Sequence, residues 1–206
     1  MPESSYTAAQ ASAVTGLPIR AILKAIEKDV IPSQRMRQDK TWKRMVTEAA
    51  LVDAKGLNQL PLSFRRKTYR AILAHPQARN FQPVEAIQID VEQARREIAA
   101  SLLALRRAEQ MVLIDADIMG GAPVIRGTRI PVHLVADMLS QGASPDEIVQ
   151  GYPSLKIEQV RLAAMYAKAH PRRGRPASQA WKKRLIPVSR STQPLRAEIA
   201  DDVSHR

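Results

Sequence analysis

The stretch that decides the fold of the C-terminal half is Ile-Met-Gly-Gly-Ala-Pro-Val-Ile-Arg-Gly-Thr-Arg-Ile-Pro, residues 118–131. The pair Gly120-Gly121 permits φ values that are closed to other residues. Val124-Ile125 and residues 128–130 predict two very short strands joined through Arg126-Gly127. We expect this hairpin to set a register and to lead into a helix that starts at the following proline.

So short a hairpin cannot stand alone, because its strands need a further strand to pair with. That strand lies either in cis, at residues 112–114, or in trans, in a second subunit. A homodimer within a larger hetero-oligomer is the prediction, with the contact carried by Val124, Ile125, Arg126, Arg129 and Ile130. The glycine turn also resembles a phosphate loop, but no Walker sequence is present. The arginines are therefore interpreted as orienting groups, and no cofactor is expected.

The composition favours a mainly helical protein that binds a polyanion. Of the 206 residues only 4% are aromatic, and the net charge is +12. Such a charge attracts nucleic acid at long range. No run is apolar enough to span a membrane, no signal peptide is visible, and cysteine is absent. These features predict a cytoplasmic location without membrane contact. The four histidines are scattered and no catalytic frame is recognisable, so neither a metal site nor an enzyme is expected.

The N-terminal region carries the pattern of a helix-turn-helix followed by a β-wing. A first helix over residues 8–14 is capped by Thr7 and stopped by Gly16, and a second begins at Pro18. Its apolar face is assigned to Ile19, Ile22, Leu23 and Ile26. Residues 34–44 alternate basic or polar side chains with Met and Trp about a polar turn, which suits a hairpin. This region resembles the winged units of MerR and excisionase proteins; a plain helical hairpin with a solvated basic face is the alternative.

Basic residues of this region are the predicted DNA contacts. Two lie one turn apart on the second helix, where side chains can reach base edges, and the others lie in the wing, where they would contact phosphates. The predicted residues are Arg20, Lys24, Arg35, Arg37, Lys40, Lys43 and Arg44. The alternative DNA-contacting helix is the last one, through Gln159 and Arg161, although the acidic Glu158 lies beside them.

The chain divides into four predicted segments. These are a winged domain over 1–83, a linker strand and helix over 84–110, a helical domain over 111–170 and a flexible basic arm over 171–206. Within them we expect helices at 48–55, at 64–74 with Ser63 as cap, and from the capping pair Asp90 and Gln93 to residue 109. Further helices are expected from Ser144, and over 156–170 with Ile157, Val160, Leu162, Ala164 and Met165 inward. The fold class is mainly α, with two small winged or homeodomain-like helix-turn-helix domains, short β-hairpins and a disordered arm.

The arm holds nine basic and three acidic residues. Its Arg-Gly-Arg-Pro resembles an AT-hook core, in which two arginines enter a narrow minor groove. A second reading is that the arm delivers arginine to an acidic centre of a protein partner, which its apolar anchors favour. A third is a plain basic linker. The residues concerned are Arg172, Arg173, Arg175, Trp181, Lys182, Lys183, Arg184 and Leu185.

Residues 120–132, 142–148 and 163–167, with Tyr152-Pro153, resemble the bacterial domain-of-unknown-function 433 family, over about residues 115–169. Where Lys156 stands, that pattern usually has a capping threonine. With the winged region in front, the chain resembles VapB-type antitoxins. The resemblance implies a PIN-domain ribonuclease toxin as partner, neutralised by the C-terminal half, and autoregulation of the operon by operator binding. A DNA-binding regulator without a toxin is the alternative.

Overall fold

The computed structural model describes residues 4–38, 41–57, 60, 62–75, 78–84 and 87–172, and it confirms a mainly α-helical fold with small sheets. The helices are α1 (Ala8–Thr15), α2 (Ile19–Glu27), α3 (Glu48–Gly56), α4 (Leu62–Ala74), α5 (Val91–Met111), α6 (Val132–Ser140), α7 (Pro145–Gly151) and α8 (Ile157–Ala169). The strands are β1 (Ser5–Thr7), β2 (Gln34–Gln38), β3 (Thr41–Thr47), β4 (Asn80–Val84), β5 (Ile87–Asp90), β6 (Val112–Leu113) and β7 (Val124–Ile125). These described residues belong to one compact unit that ends at Arg172.

The turn between α1 and α2 is held by local hydrogen bonds. Thr7 accepts from the Gln10 N–H and completes a capping box, and Gly16 ends α1 with φ 76°, as expected. The Ser12 hydroxyl donates to the Leu17 carbonyl at 2.7 Å, and Thr15 Oγ1 accepts from the Leu17 N–H at 3.2 Å. Because both bonds close within five residues, the angle between the helices is fixed locally.

The hairpin predicted over residues 34–44 is present as an antiparallel pair of β2 with β3, which we call the wing. The structure adds β1, which pairs with β3 and makes a three-stranded sheet in the order β1-β3-β2. A strand of three residues carries no periodic signal, so the sequence did not indicate it. The added strand ties the base of the wing to the start of α1.

Two apolar faces differ from the prediction. On α2, Ile22 and Ile26 are buried, but Ile19 and Leu23 are exposed. On α8 the buried stripe is Val160, Ala163, Tyr166 and Ala169, whereas Ile157 is exposed and Leu162, Ala164 and Met165 are half-buried. The prediction is confirmed at Val160, and half-buried Leu162 and Met165 pack at the edge of the core. The most buried face lies at residues 160, 163, 166 and 169 because the neighbouring helices cover α8 on that side.

The middle of the chain contains more structure than predicted. Helix α3 ends one residue later than expected, and Ser63 lies inside α4 rather than capping it. Residues 80–83, at the end of the predicted winged domain, form most of β4, which pairs antiparallel with β5 across an irregular register. Asp90 caps α5 by accepting from the Gln93 N–H at 2.7 Å, as predicted.

The glycine-rich stretch pairs in cis. Strand β7 lies antiparallel to β6, with Val112 opposite Ile125 and Leu113 opposite Val124. Residues 128–130, predicted as a second strand, approach β7 only in part: the Ile125 N–H donates to the Ile130 carbonyl at 2.9 Å, and Val124 forms an isolated antiparallel bridge with Pro131. The two-residue ladder of β7 is with β6.

The last three helices begin as the sequence indicates. Ser144 and Glu147 form the predicted capping box of α7. At α8 the Gln159 side-chain oxygen accepts the Lys156 N–H at 2.9 Å, so a glutamine caps the helix although a lysine stands at the usual threonine position. Pro131 is the residue before α6 rather than its first residue.

Helix α5 joins the three hydrophobic clusters of the described chain. Val91 packs in a cluster with α3, α4 and β5; Ile98, Leu102 and Leu105 pack beneath α1, α2 and α3; and Ala108 packs with the C-terminal helices. Each large apolar side chain buried in this way contributes about 1.5–3 kcal/mol. The division into four segments stays a prediction. Helix α5, which lies in the predicted linker segment, contributes side chains to the hydrophobic clusters on either side of that segment.

Candidate nucleic-acid interface

The outer face of α2 carries two cations. Arg20 and Lys24 are both exposed and lie one turn apart, while Ile22 and Ile26 hold the opposite face in the core. Exposed Leu23, at 49% of its free surface, lies beside Lys24. The helix therefore presents a mixed cationic and apolar surface at a fixed angle to α1.

The wing places three arginines on one face. In the β2–β3 register, Arg35 lies opposite Arg44, and Arg37 lies opposite Trp42. Residues opposite one another, and residues two apart, share a face of a β-ladder. All four side chains are exposed, with Trp42 at 68%. The wing thus displays arginines around a large aromatic ring, which the sequence prediction did not include among the contacts.

The other predicted wing residues are placed differently. Lys43 lies opposite Met36, on the face away from the arginines, and is half-buried. Lys40 lies outside the described residues. The structure therefore brings together Arg35, Arg37 and Arg44 and separates Lys43 from them, because side chains alternate between faces along a strand.

Helix α8, the alternative reader, is packed on several sides. It contacts α1, α5, α6 and α7. Glu158 pairs with Arg107 of α5 at 3.7 Å, and Gln159 is occupied at the helix cap. Arg161 remains exposed. A helix packed in this way exposes only a narrow strip of its surface to solvent. A helix that enters a DNA groove needs a wider exposed face.

Arg126 in the glycine-rich stretch serves the fold. Its Nε donates to the Gln110 carbonyl at 3.1 Å, and its terminal nitrogen donates to the Val112 carbonyl at 3.3 Å. A cation there satisfies carbonyls at the C-terminal end of α5 and favours the helix dipole. Val124 and Ile125 are fully buried within the chain, so their side chains are not accessible to a second subunit. Of the predicted contact residues, Arg126 and Arg129 are exposed and Ile130 is half-buried.

A polar cluster joins the two halves of the described chain. Glu109 Oε1 of α5 accepts from Gln10 Nε2 of α1 at 3.1 Å and lies 2.9 Å from His170 Nε2. The His170 ring stacks on Tyr166, which also faces His133. Since Gln10 also completes the cap of α1, this cluster connects the start of α1 with the end of α8.

Burial shifts the pKa values of two residues beside this polar cluster, His133 and Tyr166. Burial, with the nearby charges of Arg172 and His170, lowers the pKa of His133, while Asp137 acts in the opposite direction. Burial, together with Glu109, raises the pKa of Tyr166. No group of three histidine or acidic side chains able to hold a metal ion occurs among the described residues.

Arg172 ends the described chain and is paired with Asp137 of α6 at 2.9 Å. The other predicted arm residues lie outside the described residues, namely Arg173, Arg175, Trp181, Lys182, Lys183, Arg184 and Leu185. The base of the basic arm is therefore anchored to α6 by an exposed ion pair.

A buried carboxyl lies beneath α2. Asp53 of α3 is 3% exposed and lines a small pocket with apolar residues and Arg65. Burial raises the pKa of Asp53 to about 7, against the opposing charge of Arg95. Burial also lowers the pKa of Arg65, whose Nε donates to the Leu60 carbonyl. Sequence patterns could not locate this group, because its burial depends on how α2, α3 and α4 pack.

Comparison with known proteins identifies the C-terminal domain. Residues 112–167 match the family described as "Protein of unknown function (DUF433)", so a domain of that family occupies this part of the chain and confirms the resemblance. "Uncharacterized protein y4eO" of Sinorhizobium fredii (strain NBRC 101917 / NGR234) is 42% identical over 91 residues, which is 44% of this chain. The chain spans 41% of the length of that relative.

Among solved structures, the chain is similar to one titled "X-ray crystal structure of Rv2018 from Mycobacterium tuberculosis". The two share 15% sequence identity over 77% of this chain and 96% of the other, with a TM-score of 0.34. Within the part of the chain that the structure describes, no helix combines the length and apolar character needed to cross a membrane.

Proposed function

We propose that the protein is a transcription regulator that binds duplex DNA through α2 and the wing. The order helix, tight turn, helix and antiparallel hairpin is the arrangement that winged helix-turn-helix domains use. The observation that carries the proposal is the display of Arg20 and Lys24 on α2, together with Arg35, Arg37 and Arg44 on one face of the wing.

The charge distribution supports duplex DNA as the ligand. DNA carries one negative charge per about 1.7 Å of helix axis, and each phosphate neutralised releases counterions. Exposed lysine and arginine side chains therefore yield affinity that falls steeply with salt. The rigid turn between α1 and α2 lowers the entropic cost of presenting these cations together.

The test is a salt titration of DNA binding by the full chain. The double variant R20A/K24A is expected to reduce the slope of log K against log salt by about 2, roughly one per lost phosphate contact. The matched control is K67A/R70A, which removes the same charge from exposed positions one turn apart on α4. An equal loss in both variants would mean that only net charge matters and would reject this interface.

A second proposal is that the protein is an antitoxin that neutralises a PIN-type ribonuclease. It is supported by the resemblance to VapB-type antitoxins and by the anchoring of Arg172 at the start of an arm with nine basic residues. Arginine presented to an acidic, metal-dependent centre can occupy the position of the cation that hydrolysis needs.

Co-expression with the product of the neighbouring reading frame tests the antitoxin proposal. Growth rescue and co-purification are expected with the full chain and lost in a chain ending at Arg172. The control neutralises three basic arm residues, Lys182, Lys183 and Arg184, and keeps the length. Retained rescue by the truncated chain would place neutralisation elsewhere; absence of any toxic partner would leave a regulator that acts alone.

We also propose that the regulator acts as a homodimer, because winged units commonly bind paired half-sites. Arg129 is exposed and Ile130 half-buried at the rim of the glycine-rich turn, and these residues are the proposed contact. Sedimentation of the full chain measures the mass in solution. Replacement of Ile130 by Asp is expected to shift a dimer towards monomer, and a monomeric wild-type chain would contradict the proposal.

A further inference from the structure

We propose that Trp42 is the residue through which the wing contacts base pairs, as an apolar wedge in the minor groove of A·T-rich duplex DNA. This inference rests on the proposed DNA binding and adds the class of site that is preferred. It starts from one exposed side chain that neither the fold nor phosphate binding requires.

Trp42 is the most exposed large apolar side chain of the described residues, at 68%. It lies near the start of β3, whereas Met45 and Val46 at the other end of the strand are buried. The wing is therefore fixed to the core at its base and carries the indole on the solvent side. One exposed apolar side chain is ordinary by itself, but a tryptophan grouped with arginines has the composition of the residues that dominate binding surfaces.

The neighbours of Trp42 favour nucleic acid over a protein partner. Arg37 lies opposite Trp42, and the Arg35 and Arg44 pair lies two positions further along the same face. Three cations around one aromatic ring repel one another unless an anion lies between them. A phosphate backbone supplies that anion on both sides of a groove, and the ring between the cations then faces the bases.

The chemistry of indole fits the minor groove. Its N–H is a donor, and the floor of an A·T minor groove presents only acceptors, adenine N3 and thymine O2. Narrow A·T grooves have the strongest negative potential, which attracts arginine, and apolar wedges inserted there unstack flexible steps. The major groove of DNA is wide enough to admit an α-helix such as α2. With α2 in the major groove, the wing would contact the adjacent minor groove.

The test compares three duplexes of one length with the full chain. Their cores contain A·T pairs, I·C pairs or G·C pairs. An I·C pair presents the minor groove of A·T and the major groove of G·C. The background variant R173A/R175A removes the Arg-Gly-Arg of the arm, which could itself enter a minor groove. We expect equal affinity for the A·T and I·C duplexes and weaker binding to G·C.

In that background, W42A is expected to lose about 10-fold in affinity for the A·T and I·C duplexes, with little loss for G·C, and W42F is expected to lose less. The matched control is F64A, which truncates an exposed aromatic residue of α4. Unchanged thermal melting of W42A shows that the variant folds.

The outcomes separate the two proposals. Failure of the wild-type chain to bind any duplex would remove the proposed function itself. Binding that W42A leaves unchanged, or I·C affinity that equals G·C affinity, would overturn the minor-groove assignment and leave DNA binding intact. A W42A defect larger for single-stranded RNA than for duplex DNA would also overturn it.

Discussion

The N-terminal region, residues 4–57, and the DUF433 domain each contain a short antiparallel strand pair with arginines, β2–β3 and β6–β7. The arginines of the two pairs have different surroundings. In the wing, Arg35 and Arg44 lie opposite each other with exposed side chains. In the DUF433 domain, Arg126 donates to two backbone carbonyls at the end of α5. An arginine that satisfies carbonyls stabilises the fold, whereas like charges placed opposite each other oppose it. The like charges of Arg35 and Arg44 therefore weaken the pairing of β2 with β3.

The same contrast extends to the cores. The buried polar residues of the described chain are Thr15, Asp53 and Thr68, all in the N-terminal half. The cluster within the DUF433 domain consists of apolar side chains. The winged region therefore combines exposed cations with a buried ionisable group, and its stability should depend more strongly on solution conditions.

The largest expected effect concerns Asp53. Its pKa is about 7 in the folded chain and near 3.8 when unfolded. The folded state therefore binds an additional proton between these values, so stability is fully present below pH 3.8 and is lost as the pH rises through 7. D53N is expected to be more stable than the wild type at pH 8, by on the order of 2–4 kcal/mol, and similar near pH 4. Urea unfolding across pH measures this difference.

The control for Asp53 is D117N, which changes an exposed aspartate of the DUF433 domain. Its stability should follow the wild-type pH profile. If D53N also followed that profile in parallel, the folded carboxyl would have an ordinary pKa and the contrast between the two cores would disappear.

Removal of the wing charges should affect binding without affecting folding. The triple variant R35A/R37A/R44A is expected to weaken DNA affinity about 100-fold at low salt and to reduce the salt slope by about 3. Its melting temperature should not fall. The matched control R70A/R79A/R106A removes three exposed arginines from positions that carry no proposed contact. A lower melting temperature of the wing variant alone would show that these arginines serve the fold.

Arg126 should behave in the opposite way. R126A leaves the Gln110 and Val112 carbonyls without their donor, and we expect a loss of about 1 kcal/mol in the free energy of unfolding. DNA affinity should be unchanged. R126K keeps the charge but not the forked donors. Its free energy of unfolding should therefore lie between those of R126A and the wild type. A loss of DNA affinity in R126A at unchanged stability would place this arginine at a ligand after all.

The turn that positions Arg126 provides a comparable effect on the free energy of unfolding. Gly127 has φ +80°, and an added Cβ would meet nothing within 4 Å. G127A therefore suffers backbone strain only, about 1 kcal/mol. G151A is the control, because Gly151 is equally open and lies in α7 without a positive φ. Equal stability of both variants would show that the turn relaxes.

The smallest expected effect is a gain in stability. R44E places an acidic residue opposite Arg35 and should stabilise the wing by about 0.5 kcal/mol, while it weakens DNA binding. R37E makes the same change of charge opposite Trp42 and should stabilise less. If R44E destabilised the chain more than R37E, the cross-strand repulsion inferred here would be wrong.

Local signals in the sequence predicted much of this fold. Thr7, Asp90 and Ser144 were identified as caps because the partner of each lies three residues away. The wing was indicated by alternation over eleven residues. Both signals depend on the chain close by, so they persist whatever the rest of the protein does.

Features set by distant packing could not be predicted in the same way. Strand β1 exists because β3 offers it an edge, and the ladder of β7 is with β6, while the arm after the turn joins β7 through a single bridge. Exposure of Ile19 and Leu23 depends on where α2 meets the core. For the candidate site, the sequence indicated the cations; which of them share a face with Trp42 required the register of the wing.

Helix α5 has a consequence for how the molecule unfolds. Its 21 residues supply side chains to all three hydrophobic clusters, and Glu109 near its end also binds Gln10 and His170. Neither the winged region nor the DUF433 domain can open while the other keeps α5 fully packed. Amide protons in the middle of α5 should therefore exchange with solvent only through global unfolding, and calorimetry should record one cooperative transition for both regions.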